Sequence, residues 1–305
     1  MKRLPSHDSV LFKPVTLGAL GLAHRVVMPA TSPQATEQGS VPSAGLTAFY
    51  RERATFGGLL VIAAGLEATQ ALRSRPAPGI HSSAQVNGWR EVIAAVHGKG
   101  GIAAVQFSTP IGATTEDSHV DRMLRSLRRA AENAGDAGFD ALELDVGSAL
   151  DADDRLRESS DARLGAQVSL EERRGLLFEM LETLSGIYGA ERLGVWFRPT
   201  DGAGLASTLS VLSRQRIAYA HIPMSTAAEA LLVAQSPQTG TAAEERPVNL
   251  IIRGGRLDLL PIAALRSGVL AGLSHGAAFV ANPDLPARLL QGLPVRLCDA
   301  ERSYD

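Results

Sequence analysis

The feature that most constrains the fold is an alternation of short apolar runs with longer amphipathic stretches, repeated eight times along the chain. Several of the apolar runs are almost uninterrupted, as in parallel strands that are covered on both faces. We predict strands at 24–30, 59–65, 101–107, 139–145, 192–199, 217–224, 248–254 and 268–274. Eight successive βα repeats favour an α/β fold closed into a (β/α)8 TIM barrel over an open sheet.

Helical patterns separate the apolar runs, at 43–56, 83–98, 116–134, 169–187, 203–214, 225–234, 257–266 and 283–291. Residues with the character of helix starts are Ser83, Ser169 and Asp258, and glycines with the character of helix stops are Gly100, Gly189 and Gly268. The polar stretch 235–246 is predicted to be a loop inside the barrel. We therefore predict one barrel domain over residues 1–305, with 1–12 as an N-terminal extension and 293–305 as a C-terminal tail.

Composition narrows the functional classes. A formal net charge of −2 gives no general electrostatic reason to expect binding to nucleic acid or to an anionic membrane. The single cysteine, Cys298, excludes an intramolecular disulfide and a cysteine-rich zinc site, and it suits a reducing cytoplasm. The charged, proline-broken start, residues 1–14, predicts neither a signal peptide nor an anchor. We expect a cytoplasmic protein whose partner is a small molecule at the C-terminal face of the barrel; a homo-oligomer or a partner protein stays open.

An acid stands at the end of the fourth predicted strand, on the face where barrel enzymes carry their reactive groups. Asp145 ends that strand, Ser148 follows three residues later, and His221 lies on the sixth strand. Asp145 and His221 could form an acid–base dyad across the mouth of the barrel. Alternatively, Asp145 forms a salt bridge with an arginine, and His221 is a core residue with satisfied hydrogen bonds.

Further acids follow Asp145, at positions 151, 153 and 154. Aspartates beside a strand end can hold a hard cation, but this spacing lacks the glycine and the terminal glutamate of a calcium loop. We predict a solvated loop here and no metal site. His275 lies at the end of the eighth predicted strand and could meet an anion there; alternatively, it is a rim residue without such a role.

The order of motifs resembles the old yellow enzyme family of flavin-dependent ene-reductases. "LFKPVTLGALGLAHRVVMPATS" (11–32) is similar to the family's opening strand, and "PGIHSSAQVNGWREVIAAVHGKGG" (78–101) to a later block. The most specific match is "GAAFVANPDLPARLLQGLPV" (276–295), which resembles the closing βα unit. The likeness covers residues 10 to 298, and it implies a barrel that holds FMN at its mouth.

The resemblance also implies the positions of the cofactor contacts. The isoalloxazine is expected over the end of the first strand, and Gln106 at its pyrimidine edge. The phosphate is expected on backbone N–H groups of the last two βα loops, because glycines let the backbone approach an anion. The implied cofactor contacts are Pro29, Ala30, Thr31, Gln106, Gly254, Gly255, Gly276 and Ala277. NAD(P)H follows as the reductant only if the flavin binds.

The departures from the family pattern fall on the chemistry. The family has a histidine and an asparagine or second histidine as donors to the substrate carbonyl, where this chain has Asp145 and Ser148, and a tyrosine proton donor where it has Leu150. An ionised carboxylate only accepts hydrogen bonds, so it would repel a developing oxyanion.

Two arginines that contact the flavin in the family are also absent from this chain. Trp196 replaces an arginine at the pyrimidine edge, and Ala277 replaces one at the phosphate. Arg198, Arg253 or Arg256 could substitute. The segment "IGATTED" (111–117) is also too short for the family's long lid.

Three hypotheses follow. The first is a divergent flavin oxidoreductase in which FMN binding is weakened and the substrate clamp is lost. The second is a flavin-independent isomerase, lyase or cyclase that uses Asp145 and His221. The third is a pseudoenzyme whose barrel binds a small ligand or a partner protein.

Overall fold

A parallel sheet with one strand in each predicted apolar run forms the centre of the computed structural model, which describes residues 9–31, 36–67, 77–109, 117–147, 169–199, 202–223, 248–254 and 262–296. The strands are β1 (Val26–Val27), β2 (Leu59–Ala63), β3 (Ile102–Ser108), β4 (Ala141–Asp145), β5 (Leu193–Trp196), β6 (Tyr219–Pro223), β7 (Leu250–Arg253) and β8 (Gly272–Ser274). Each strand pairs with its neighbour in the sequence, and all of these pairs are parallel.

The sheet closes on itself. Leu273 of β8 is in register with Val26 of β1. On the other side of β1, the backbone N–H of Met28 donates to the carbonyl of Leu59 at 3.0 Å, and Val61 donates to the carbonyl of Met28 at 2.8 Å. The predicted (β/α)8 barrel is confirmed.

The helices of the described residues surround this barrel. They are α1 (Ala44–Arg53), α2 (Ser83–His97), α3 (Asp117–Ala137), α4 (Leu170–Tyr188), α5 (Gly202–Arg214), α6 (Ile262–Arg266), α7 (Gly276–Ala281) and α8 (Leu285–Gln291). Ser82, one residue before the predicted start, caps α2 in a capping box with Gln85, and Ser169 caps α4 in the same way with Glu172. The short helix α7 was not predicted. The predicted helix 225–234 and the predicted start at Asp258 lie outside the described residues. No helix in the described ranges is long and apolar enough to cross a membrane.

A hairpin before β1 covers the N-terminal end of the barrel. Its strands, Val15–Leu17 and Leu20–Leu22, are antiparallel. Leu17, Leu20 and Leu22 are buried in one cluster with inward-facing strand residues such as Val61 and Ala104. Among the described residues, the base of the barrel is therefore filled by apolar side chains.

Gly18 at the tip of this hairpin is expected to tolerate no side chain. Its φ is +57°, and a Cβ added there would lie 2.2 Å from the carbonyl oxygen of Glu191. We expect Gly18→Ala to lower the free energy of unfolding by about 2 kcal/mol in urea denaturation, through left-handed strain and the clash. Gly175→Ala on α4, where an added Cβ meets nothing within 4 Å, is the control and should not destabilise. Equal stabilities of the two variants would contradict the prediction.

Candidate active site at the barrel mouth

Alternation along the strands decides which side chains enter the barrel. On β3, Ala103, Val105 and Phe107 belong to the cluster beneath the helices, whereas Ala104 belongs to the cluster inside the barrel. Gln106 and Ser108 share the inward face of Ala104. The same alternation on β4 directs Glu143 and Asp145 inward, because the intervening Leu142 and Leu144 pack outward.

A chain of hydrogen bonds crosses the barrel below the mouth. Gln106 Nε2 donates to Glu143 Oε1 at 2.6 Å. The other carboxylate oxygen, Oε2, lies 3.0 Å from His221 Nδ1, and His221 Nε2 lies 2.7 Å from Ser274 Oγ. Glu143, His221 and Ser274 are completely buried. Burial and the negative charge of Glu143 also raise the pKa of Tyr219 well above its usual value.

Of the two alternatives for His221, the dyad with Asp145 does not form, and the ring is a buried core residue with satisfied hydrogen bonds. Both ring nitrogens of His221 are engaged, one by Glu143 and the other by Ser274. The His221 ring lies inside the barrel with no exposed surface, so it is not available at the mouth as an acid or a base. The partner of His221 is Glu143, which lies on β4 two residues before Asp145 and also points into the barrel.

Asp145 reaches the mouth and is half-buried. Its Oδ2 accepts a hydrogen bond from Ser108 Oγ at 2.6 Å, and its Oδ1 accepts one from the backbone N–H of Gly147 at 3.0 Å. Both contacts hold the carboxylate as an acceptor. Ser148, Leu150 and the aspartates at 151, 153 and 154 lie outside the described residues, and the described residues contain no group of three or more potential metal ligands among His, Cys, Asp and Glu.

An aromatic–cation pair stands beside Asp145. Trp196 on β5 is in register with Asp145, and the guanidinium carbon of Arg198 lies 5.7 Å from the centre of the Trp196 ring. This distance falls within the range of a cation–π contact. Trp196 therefore contributes an aromatic face to the mouth, and the exposed Arg198 brings a positive charge next to it.

The predicted cofactor residues that are described come together on the other side of the mouth. A Cβ added to Gly276 would lie 3.4 Å from Pro29 Cγ, 3.7 Å from Arg253 Nη2 and 3.9 Å from Thr31 Cγ2. The ends of β1, β7 and β8 thus enclose one small space, with a guanidinium inside it. Thr31 is buried, and its hydroxyl has no hydrogen-bond partner among the described residues. Ala30, Gly254 and Ala277 lie at the same strand ends; Gly255 and Arg256 lie outside the described residues.

His275 is buried at this edge and is not exposed on the rim. It is 3% exposed, and its Nδ1 has no hydrogen-bond partner among the described residues. The ring packs on Gly254, where an added Cβ would lie 2.5 Å from Cε1. Burial lowers the pKa of His275 to about 4.

Sequence reasoning missed Glu143, Ser274 and Ser108. The available signal was alternation: Glu143 is two residues before Asp145, so the two acids share the inward face. A glutamate within an otherwise apolar strand is itself a sign of a buried polar partner. Nothing in the sequence marked Ser274 or Ser108, which differ little from other small polar residues at strand ends.

Comparisons with known proteins agree with this geometry. Residues 10–123 match the model of the NADH:flavin oxidoreductase / NADH oxidase family. A 12-oxophytodienoate reductase-like protein from Solanum lycopersicum is 28% identical over 96% of this chain and 92% of its own length. A flavin oxidoreductase from Emericella nidulans, hxnT, is 24% identical over 96% of this chain and 94% of its own length.

Solved structures share the fold. Morphinone reductase in complex with tetrahydroNAD superposes with a TM-score of 0.78, at 24% identity, over 99% of this chain and 95% of its own. An old yellow enzyme homologue from Zymomonas mobilis has the same TM-score at 22% identity, over 99% of this chain and 97% of its own. Together with the motifs and the closed barrel, these matches show that the chain is similar to the old yellow enzyme family of NADH:flavin oxidoreductases, whose family model matches residues 10–123.

Proposed function

We propose that this protein is an FMN-dependent oxidoreductase whose substrate clamp has changed from hydrogen-bond donor to hydrogen-bond acceptor. The observation that carries the proposal is the environment of Asp145. Its carboxylate stands at the mouth, held by Ser108 and the N–H of Gly147. The small-molecule ligand is expected at this C-terminal face of the barrel.

The residues at the mouth fit a bound FMN. The unpartnered hydroxyl of Thr31 lies at the first strand end, where a flavin ring edge would offer it a hydrogen-bond partner. A Cβ at Gly276 would already fill the gap to Pro29 and Arg253 at van der Waals distance, and without that atom the backbone of Gly276 can approach a phosphate more closely.

Each part of the cofactor would have its own set of contacts. Pro29, Ala30 and Thr31 would underlie the ring, and Gln106 would meet its pyrimidine edge. Backbone N–H groups at Gly254, Gly276 and Ala277 would hold the phosphate together with Arg253. When bound, FMN supplies the capacity to accept a hydride from NAD(P)H and pass it on.

Asp145 determines which substrates this site favours. A carboxylate cannot donate a hydrogen bond to a carbonyl oxygen, and its charge opposes the negative charge that develops there during alkene reduction. The same carboxylate favours a substrate that donates a hydrogen bond or carries a positive charge, such as a hydroxyl compound or an amine. We therefore propose that the enone reduction typical of the family is lost.

Exchanging the clamp tests the proposal. The FMN-loaded protein should reduce cyclohexenone with NADPH no faster than free FMN does. Asp145→His with Ser148→Asn should restore measurable reduction, because both new side chains can donate a hydrogen bond to a substrate carbonyl. Asp121→His, an exposed substitution on α3, is the control. Efficient enone reduction by the unaltered protein would overturn the proposal.

Arg253 is expected to replace the phosphate-binding arginine that is absent at Ala277. Its Nη2 lies in the small space next to Gly276. We expect Arg253→Gln to weaken FMN binding about tenfold in a fluorescence-quenching titration, because a charge-assisted hydrogen bond contributes about 1.5–3 kcal/mol. Riboflavin, which has no phosphate, should bind both proteins equally. Arg128→Gln on the exposed face of α3 is the control, and an unchanged FMN affinity of Arg253→Gln would contradict the assignment.

A further inference from the structure

The buried chain Gln106–Glu143–His221–Ser274 has no role in the function proposed above beyond its first member. Its order of carboxylate, imidazole and hydroxyl matches that of a serine hydrolase triad. However, Ser274 has no exposed surface, so a substrate carbonyl cannot reach its hydroxyl. The arrangement therefore needs an explanation other than nucleophilic catalysis.

The chemistry of Glu143 fixes the direction of the hydrogen bond to Gln106. An ionised carboxylate accepts and never donates, so the amide of Gln106 must present its NH2 group to Glu143. At 2.6 Å this contact is short, as expected for a charge-assisted hydrogen bond. The amide carbonyl, Oε1, is then the end of the side chain left for a ligand.

The other members of this chain of hydrogen bonds, His221 and Ser274, hold Glu143 in place. Glu143 Oε2 lies 3.0 Å from His221 Nδ1, and His221 Nε2 lies 2.7 Å from Ser274 Oγ, so both ring nitrogens are engaged within the chain of hydrogen bonds. Gln106 is 9% exposed and the other three members are completely buried. In such a low-dielectric interior a satisfied chain resists rearrangement, because turning any one group leaves a buried polar atom unpaired.

We propose that Glu143, positioned by His221 and Ser274, locks the Gln106 amide with its carbonyl oxygen towards the mouth, so that Gln106 selects a ligand edge carrying an N–H or O–H donor. The imide N–H of a flavin pyrimidine ring is such a donor, and in this respect the inference rests on the proposed function. Glu143 is a positioning residue: it acts on the ligand through Gln106.

The orientation of the amide can be tested without any ligand. In a ¹H–¹⁵N spectrum of the unaltered protein, we expect the Gln106 side-chain amide, identified by its absence from Gln106→Ala, to show a strongly downfield proton that exchanges slowly with water. In Glu143→Gln, this proton should move towards ordinary amide values and exchange faster. Glu182→Gln on the exposed face of α4 is the control. A solvent-like Gln106 amide in the unaltered protein would overturn the inference.

A double-mutant cycle on FMN affinity tests the action through Gln106. Gln106→Ala and Glu143→Gln should each weaken FMN about tenfold, and the double variant should be no weaker than either single variant. Losses that multiply in the double variant would overturn the inference, since Glu143 would then act by another route. If Glu143→Gln does not fold, Ser274→Ala takes its place in the cycle, with a smaller expected loss. Absence of FMN binding in every protein would refute the proposed function, while the amide spectrum would still decide the inference.

Discussion

Replacing Arg53 by methionine is expected to lower the free energy of unfolding by about 3 kcal/mol. The change removes hydrogen bonds that connect the first and the last βα units of the barrel. Arg53 lies on α1 and is 6% exposed. Its Nε donates to the carbonyl of Phe279 at 3.1 Å and its Nη2 to that of Val280 at 2.9 Å. Both carbonyls belong to α7, so one guanidinium ties the helix that follows β8 to α1, the first α-helix after β1.

Two further contacts hold the guanidinium in place. Nη1 donates to the carbonyl of Phe49 at 2.9 Å, and the guanidinium carbon lies 3.6 Å from the centre of the Phe49 ring. Methionine keeps most of the apolar stem but provides no donors, so three carbonyl oxygens lose the hydrogen bond that the guanidinium donates.

Urea denaturation of Arg53→Met measures the effect. Arg51→Met on the exposed face of the same helix is the matched control and should change stability by less than about 0.5 kcal/mol. Equal stabilities of the two variants would show that the joint does not depend on Arg53.

Acid is expected to destabilise the protein through His275, by about 3 kcal/mol as the pH falls from about 7 to about 4. The folded protein holds the pKa of His275 at about 4, below the ordinary value of 6.5. Between these two values the unfolded chain binds a proton that the folded chain does not. Stability from this residue is therefore complete above the ordinary value and declines as the pH falls towards the folded one.

The comparison with His275→Phe isolates this contribution. His24, whose pKa burial also lowers, is present in both proteins and its effect cancels in the difference. Urea denaturation in chloride buffers at several pH values should give a steeper loss of stability in the unaltered protein than in His275→Phe. Parallel curves would mean that His275 takes up its proton in the folded state as easily as in the unfolded one.

The strands of the barrel were predictable because their apolar runs are bounded by glycine, proline and polar residues. The predicted bounds were too wide at the first strand, 24–30 against Val26–Val27. A residue counts as part of a strand only where a neighbouring strand provides backbone hydrogen-bond partners. The hydrophobicity of the sequence does not show where those partners lie. Helix α7 was missed because its six residues, Gly276–Ala281, are too few to show a helical period.

The contacts inside the barrel were not predictable from the sequence. His221 and Asp145 are both in register with Trp196, yet His221 contacts Glu143. Barrel strands are tilted against the barrel axis, so residues in register on different strands lie at different heights. Alternation shows which side chains point inward, but only the tilt and stagger of the whole barrel decide which of them meet.

Whether the mouth of the barrel binds a flavin is the central question for this protein. Titrating FMN with the purified protein while following FMN fluorescence measures this. We predict saturable quenching with one FMN per chain, weakened in Arg253→Gln. A fluorescence that stays unchanged up to the highest attainable protein concentration would contradict the account, because the space between Pro29, Arg253 and Gly276 would then serve another ligand or none.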